Sequence, residues 1–129
     1  MTAGREVLVV DDDRDLREAL REILEDAGYR VLTAANGLEA IDVLLGGARP
    51  DAILLDLMMP ESDGPDFRLK QRAAPEIAHI PIIAMTASGR AESELAFMHS
   101  AGFLRKPFEY QTLIDLVARV VTLPRAPAH

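Results

Sequence analysis

Four polar clusters in this chain stand directly behind short apolar runs, and their residue types suit one kind of chemistry. Val7–Val10 is followed by Asp11-Asp12-Asp13, and Ala52–Leu55 by Asp56 and then Leu57-Met58-Met59-Pro60. Ile82–Met85 leads into Thr86-Ala87-Ser88, and Phe103–Leu104 into Arg105-Lys106-Pro107-Phe108. Carboxylates placed close together disfavour one another's ionisation unless a cation joins them. Oxygen ligands without His or Cys favour Mg²⁺ (or Mn²⁺) and exclude a typical zinc site. A lysine and a hydroxyl opposite the acids are what an incoming phosphoryl group requires, a point charge and a hydrogen-bond donor. Together these residues describe metal-assisted phosphoryl transfer with an aspartate available as nucleophile. Taken singly each has an ordinary explanation. Asp13 suits a helix N-cap, Asp56 a strand-end turn, Thr86 a strand-end hydroxyl and Lys106 a solvated surface lysine. The pattern carries the argument.

Such a site needs elements that deliver all four clusters to one edge. The apolar runs Val7–Val10, Ala52–Leu55 and Ile82–Met85 show no polar alternation, as strands buried on both faces of a parallel sheet read. Val31–Leu32 and Phe103–Leu104 are weaker runs of the same kind. Helical spacing separates them: Leu16, Ala19, Leu20, Ile23, Leu24 and Ala27 up to Gly28, then Ala40, Ile41, Leu44 and Leu45 up to Gly46-Gly47. A third helix opens at Pro65 and carries Phe67 and Leu69, a fourth covers about 90–100, and a fifth carries Leu113, Leu116, Val117, Val120 and Val121. Five strand–helix repeats predict an α/β fold, (βα)5. It is a flavodoxin-like doubly wound parallel sheet of five strands in the order 2-1-3-4-5 with five helices. Ligands of that architecture bind beyond the carboxyl ends of the strands where the order reverses, between the first and third strands. One domain is expected over 4–122, with a Pro-rich tail over 123–129.

Composition narrows the partners. The chain has 129 residues with 21 Asp+Glu against 14 Lys+Arg, a formal net charge of −7. That balance repels phosphate backbones and anionic lipid, which argues against direct nucleic-acid binding and against a membrane-surface role. No apolar run exceeds four residues, so no transmembrane helix or signal-peptide core is expected. The absence of cysteine removes disulfides and thiol nucleophiles, in keeping with a cytoplasmic location. His79, His99 and His129 have no metal-ligand spacing.

The stretches VLVVDDD at 7–13, PDAILLDLMMPESDG at 50–64, IPIIAMTA at 80–87 and FLRKPF at 103–108 resemble the receiver domain of two-component response regulators. The likeness runs from about Glu6 to Val121. It implies a phosphorelay role in which a histidine kinase or histidine phosphotransfer protein phosphorylates Asp56. Mg²⁺ would then be held by Asp12 directly, by Asp11 mainly through water, by Asp56 and by the backbone carbonyl of Met58. By the same resemblance Lys106 pairs with Asp56 at rest and with a phosphoryl oxygen after transfer. Thr86 turns inward to bond a second phosphoryl oxygen, Phe103 matches the switch aromatic, and the Lys106–Pro107 peptide is cis. Met58 and Ser88 fall at the two positions that govern water access to the acyl phosphate, and an apolar Met58 implies slow to moderate self-dephosphorylation. Such a chain is a signalling domain rather than an enzyme with an external substrate. It acts on an unidentified downstream protein through a face built from the fourth helix, fifth strand and fifth helix, as a monomer or weak dimer. The Thr86–Lys106 segment departs from the family. It is short, and Ser100-Ala101-Gly102 stands where Gly-Ala-Asp-Asp is usual, which bears on that switching face and on Phe103.

Two other functions fit parts of the pattern. A haloacid-dehalogenase-type phosphatase would make Asp11 the nucleophile of an Asp-x-Asp, but it needs a late acidic pair, and only Glu109 and Asp115 follow Lys106. A receiver-like interaction module that takes no phosphate would usually lack the acceptor, the acidic pair or the lysine, and all are present.

Overall fold

The computed structural model describes residues 4–57, 64–86 and 100–122. Met58, Ser88, the expected fourth helix and the 123–129 tail lie outside the described residues. Five strands, β1 (Glu6–Val10), β2 (Arg30–Ala34), β3 (Ala52–Asp56), β4 (Ile82–Thr86) and β5 (Gly102–Arg105), form one sheet in the order β2-β1-β3-β4-β5. All four pairings are parallel. The four described helices are α1 (Arg14–Asp26), α2 (Gly37–Leu45), α3 (Gly64–Arg72) and α4 (Tyr110–Val121), the last being the fifth stripe of the sequence.

Strand alternation sorts the apolar runs into two cores. Val7, Val9, Leu54, Ile83, Met85 and Leu104 pack with Leu20, Leu24 and the buried side of α4. Leu8, Val10, Ile53, Leu55 and Ala84 pack on the other side with Ala40, Leu44 and Phe67. Successive side chains point to opposite faces of a strand, and both faces are covered by helices, so every residue of Val7–Val10 has to be apolar. β2 lies at the sheet's edge and begins on an exposed Arg30. Only Val31 and Leu32 of that strand therefore stand out in the sequence.

Two helix ends show how the chain is turned back toward the sheet. Asp13 opens α1, its carboxylate accepting from the amides of Asp15 and Leu16 at 3.0 and 3.2 Å. Gly28 closes the helix at φ +100, with Gly28 N–H on the Glu25 carbonyl and Tyr29 N–H on the Leu24 carbonyl. That left-handed turn is open to glycine without a Cβ penalty, and it drops Tyr29 into the first core. β5 approaches α4 so closely that a Cβ at Gly102 would stand 2.9 Å from Leu116 Cδ1.

Two residues of the expected stripes point outward instead: Leu69 is 58% and Leu45 54% exposed. Beyond α3 the second core is completed by Ile77 and Ile80, from a stretch of turns. The buried Gln71 amide holds that stretch, donating to the Ile77 and Ile80 carbonyls at 2.9 and 3.0 Å.

Candidate functional site

The carboxyl ends of β1, β3, β4 and β5 bring the expected polar residues to one edge. Asp11 extends β1 by one residue, its amide donating to the Ala34 carbonyl at 3.2 Å. Asp56 closes β3 opposite Met85, and the next amide, of Leu57, donates back to the Met85 carbonyl at 2.9 Å. Thr86 ends β4 fully buried. Lys106 continues β5 alongside it, its amide donating to the Thr86 carbonyl at 2.8 Å before the chain turns at a cis Lys106–Pro107 peptide.

Asp11, Asp12 and Asp56 each present a carboxylate oxygen, and these oxygens lie within 4.8 Å of one another. Asp11 is wholly buried and Asp56 is 3% exposed, whereas Asp12 faces solvent. Asp11 is fixed at both oxygens: Oδ1 accepts from the Asp13 amide at 2.9 Å, and Oδ2 accepts from Lys106 Nζ at 3.0 Å. The same ammonium stands 3.5 Å from Asp56 Oδ2. Lys106 was expected to rest on Asp56; its shorter contact is to Asp11, and it bridges the two. Burial pulls the Lys106 ammonium toward deprotonation. The hydrogen bond it donates to Asp11 and the charges of Asp56 and Asp11 more than reverse that pull, leaving its pKa above the ordinary lysine value.

The donor set fits a hard divalent cation. Mg²⁺ takes oxygen ligands at about 2.0–2.1 Å in octahedral geometry and retains several waters. Three carboxylate oxygens within 4.8 Å therefore suit an ion that meets some of them directly and some through water. The fourth protein ligand expected from the sequence, the Met58 carbonyl, lies outside the described residues, as does Ser88. Phe103 sits half-buried on β5 against the second core.

One contact had no signal in the sequence. Arg17, on the first turns of α1, donates from Nη1 to the Asp11 carbonyl at 2.8 Å. Its position in the helix reads as ordinary solvated surface, and only the turn between β1 and α1 brings it back to the Asp11 carbonyl. Lys106 and Pro107 also line a groove of about 440 Å³ between α1 and the start of α4, with Leu16, Ala19, Ile23 and Phe108 among its walls.

A family model described as the response regulator receiver domain matches residues 7–118. The response regulator MprA of Mycobacterium sp. (strain KMS) is 40% identical over 121 residues, covering 92% of this chain and 50% of that protein. The chain thus spans about half the length of the relatives of that kind that it matches. Among solved structures, the chemotaxis protein CheY4 of Vibrio cholerae superposes with a TM-score of 0.84 at 36% identity, covering 92% of this chain and 99% of that one. The response regulator TrrA of Thermotoga maritima, solved in complex with Mg²⁺–BeF, gives 0.79 at 31% identity, covering 90% of this chain and 98% of that one. These matches leave the phosphatase reading without support.

Proposed function

Because the chain belongs to the response regulator receiver domain family, we propose that Asp56 accepts a phosphoryl group from a histidine kinase or histidine phosphotransfer protein. One observation carries this reading: three carboxylates and the Lys106 ammonium meet at the switch point of the sheet, with Lys106 bridging Asp11 and Asp56. A carboxylate oxygen of Asp56 attacks phosphorus in line, the P–N bond to the donor imidazole breaks, and an acyl phosphate forms on Asp56. Lys106 leaves its resting contacts to meet a phosphoryl oxygen, and the Thr86 hydroxyl donates to another. Asp11, Asp12 and Asp56, with the Met58 carbonyl, would hold Mg²⁺, which when bound would supply positive charge to stabilise the phosphoryl oxygens. The same site lets water hydrolyse the acyl phosphate, at a slow to moderate rate set by Met58 and Ser88. The chain transforms no other substrate.

Phosphorylation shifts a two-state equilibrium because Thr86 and Lys106 can bond the phosphoryl oxygens in only one arrangement of their loops. The downstream partner is a protein that reads the face around β5, Phe103 and α4. No described helix is long and apolar enough to cross a membrane, and the proposed setting is cytoplasmic, without direct nucleic-acid contact. Incubation with acetyl phosphate and Mg²⁺ tests the reading: one phosphoryl mass should be added and lost in base, and Asp56→Asn should abolish it. Retention of that labile mass in Asp56→Asn would sink the assignment.

A further inference from the structure

We propose that Arg17 is the positioning residue that aims Asp12 at the cation, although it touches neither. The inference rests on the reading of Asp11, Asp12 and Asp56 as a Mg²⁺ site and adds a residue to it.

Asp12 is the exposed member of the acidic set, and among the described residues no hydrogen bond holds its carboxylate. The direction of its Cα–Cβ bond is therefore set by the two peptide planes that flank it. The plane after Asp12 contains the Asp13 amide, which donates to Asp11 Oδ1 at 2.9 Å. The plane before it contains the Asp11 carbonyl, which accepts from Arg17 Nη1 at 2.8 Å. With both planes pinned, Asp12 has little backbone freedom left. Arg17 is itself anchored to the same turn, since its own amide donates to the Asp13 carbonyl at 2.9 Å as the first helical bond of α1. The result is a closed circuit from Arg17 to Asp11 to Asp13 and back to Arg17, with Asp12 suspended inside it. Capping of α1 by Asp13 ties the circuit to the rigid helix. A carboxylate held in place before the ion arrives loses less entropy on binding than one that must be ordered at that moment.

The charge on Arg17 makes the inference sharp, because it argues the other way. A guanidinium hydrogen-bonded to the backbone of the acidic turn adds positive charge beside the site, so a merely electrostatic neighbour would weaken Mg²⁺ binding. Its removal would then tighten binding. Pinning predicts the opposite sign. Arg17→Met keeps most of the stem and removes both donor and charge. Arg17→Lys keeps the charge and one donor, with poorer geometry toward a fixed carbonyl.

Mg²⁺ alone is the probe, titrated calorimetrically into the unphosphorylated chain at constant ionic strength, with the thermal midpoint without Mg²⁺ measured for each variant. Arg17→Met should weaken Mg²⁺ binding about tenfold, within the range seen when a residue that orients a metal ligand is lost. Arg17→Lys should fall between it and the parent, which also covers the case in which the methionine variant is too unstable to titrate. Equal or tighter Mg²⁺ binding in Arg17→Met, or in Arg17→Lys where the methionine variant unfolds, overturns the proposal and leaves the Mg²⁺ site standing. A parent chain that binds no Mg²⁺ overturns both.

Discussion

Lys106 serves two carboxylates at once, 3.0 Å from Asp11 and 3.5 Å from Asp56, and its protonation is tied to the stability of the folded chain. Its folded pKa lies above the ordinary value of 10.5 because the pairing with the acids outweighs its own burial. A group whose pKa rises on folding stabilises fully below its unfolded pKa, and the contribution is lost as pH climbs through the folded value. While Asp11 and Asp56 stay ionised, the parent should therefore exceed Lys106→Met by a constant margin from neutrality up to about pH 10.5. That margin should shrink on the alkaline side, as urea unfolding at a series of pH values from neutrality upward would show. A margin that persisted undiminished far above pH 10.5, or grew there, would contradict the pairing. Lys106→Met should also bind Mg²⁺ several-fold more tightly than the parent, since it removes a positive charge from beside two of the three carboxylates. Phosphotransfer to Asp56 should nonetheless slow, because no ammonium remains to meet the phosphoryl oxygens. The two effects have opposite consequences for activity, so calorimetry and a phosphorylation time course together separate them.

At the scale of elements, α1 faces the crevice with its first turn and the groove beside α4 with its apolar side. A protein donor whose histidine reaches Asp56 must rest on surface next to Lys106, and Lys106 is itself part of the wall of that groove. Ala19 lines it from an exposed position on α1. Ala19→Glu should therefore slow phosphotransfer from the kinase while leaving phosphorylation by acetyl phosphate unchanged, since the small donor needs no docking. Equal slowing with both donors would place the effect in the crevice instead. On the opposite side of the sheet, Gln71→Met keeps the volume but leaves the buried Ile77 and Ile80 carbonyls without their donor. The expected loss is about 1–3 kcal/mol in urea unfolding, with Mg²⁺ binding unaffected. Legibility from sequence follows the same physical lines. Val7–Val10, Ala52–Leu55 and Ile82–Met85 announce themselves because two-sided burial leaves no room for polar residues, and Asp11, Asp56 and Thr86 are legible because they follow those strands directly. The extent of β2 was not, since its edge position admits Arg30 and Thr33. Gln71 and Arg17 look like helix surface, and their partners, the carbonyls of distant turns, carry no side-chain signal. That Lys106 lies closer to Asp11 than to Asp56 while touching both is likewise something that spacing along the chain does not describe.

For the molecule as a whole, the net charge of −7 has one concentrated component: Asp11, Asp12 and Asp56, with one lysine among them. Folding forces these three carboxylates within a few ångström, whereas the unfolded chain keeps Asp56 far from the other two in sequence. The folded state therefore bears a repulsion that the unfolded state lacks, and a cation binding only the folded state relieves it. Ligand linkage converts that preference into stability: at a free Mg²⁺ concentration a hundredfold above its dissociation constant the gain is about 2.7 kcal/mol. For a chain of this size that corresponds to a rise in thermal midpoint of roughly 10 °C. Asp12→Asn should change the two halves of this balance in opposite directions. Removing one like charge from the cluster raises the midpoint without Mg²⁺, and removing a ligand lowers the increment that Mg²⁺ brings. Thermal scans of both chains with and without Mg²⁺, matched in ionic strength by KCl, resolve the pair of effects. A parent whose midpoint moves no more with Mg²⁺ than with the matched salt would mean that the acids at the sheet edge are balanced by Lys106 alone.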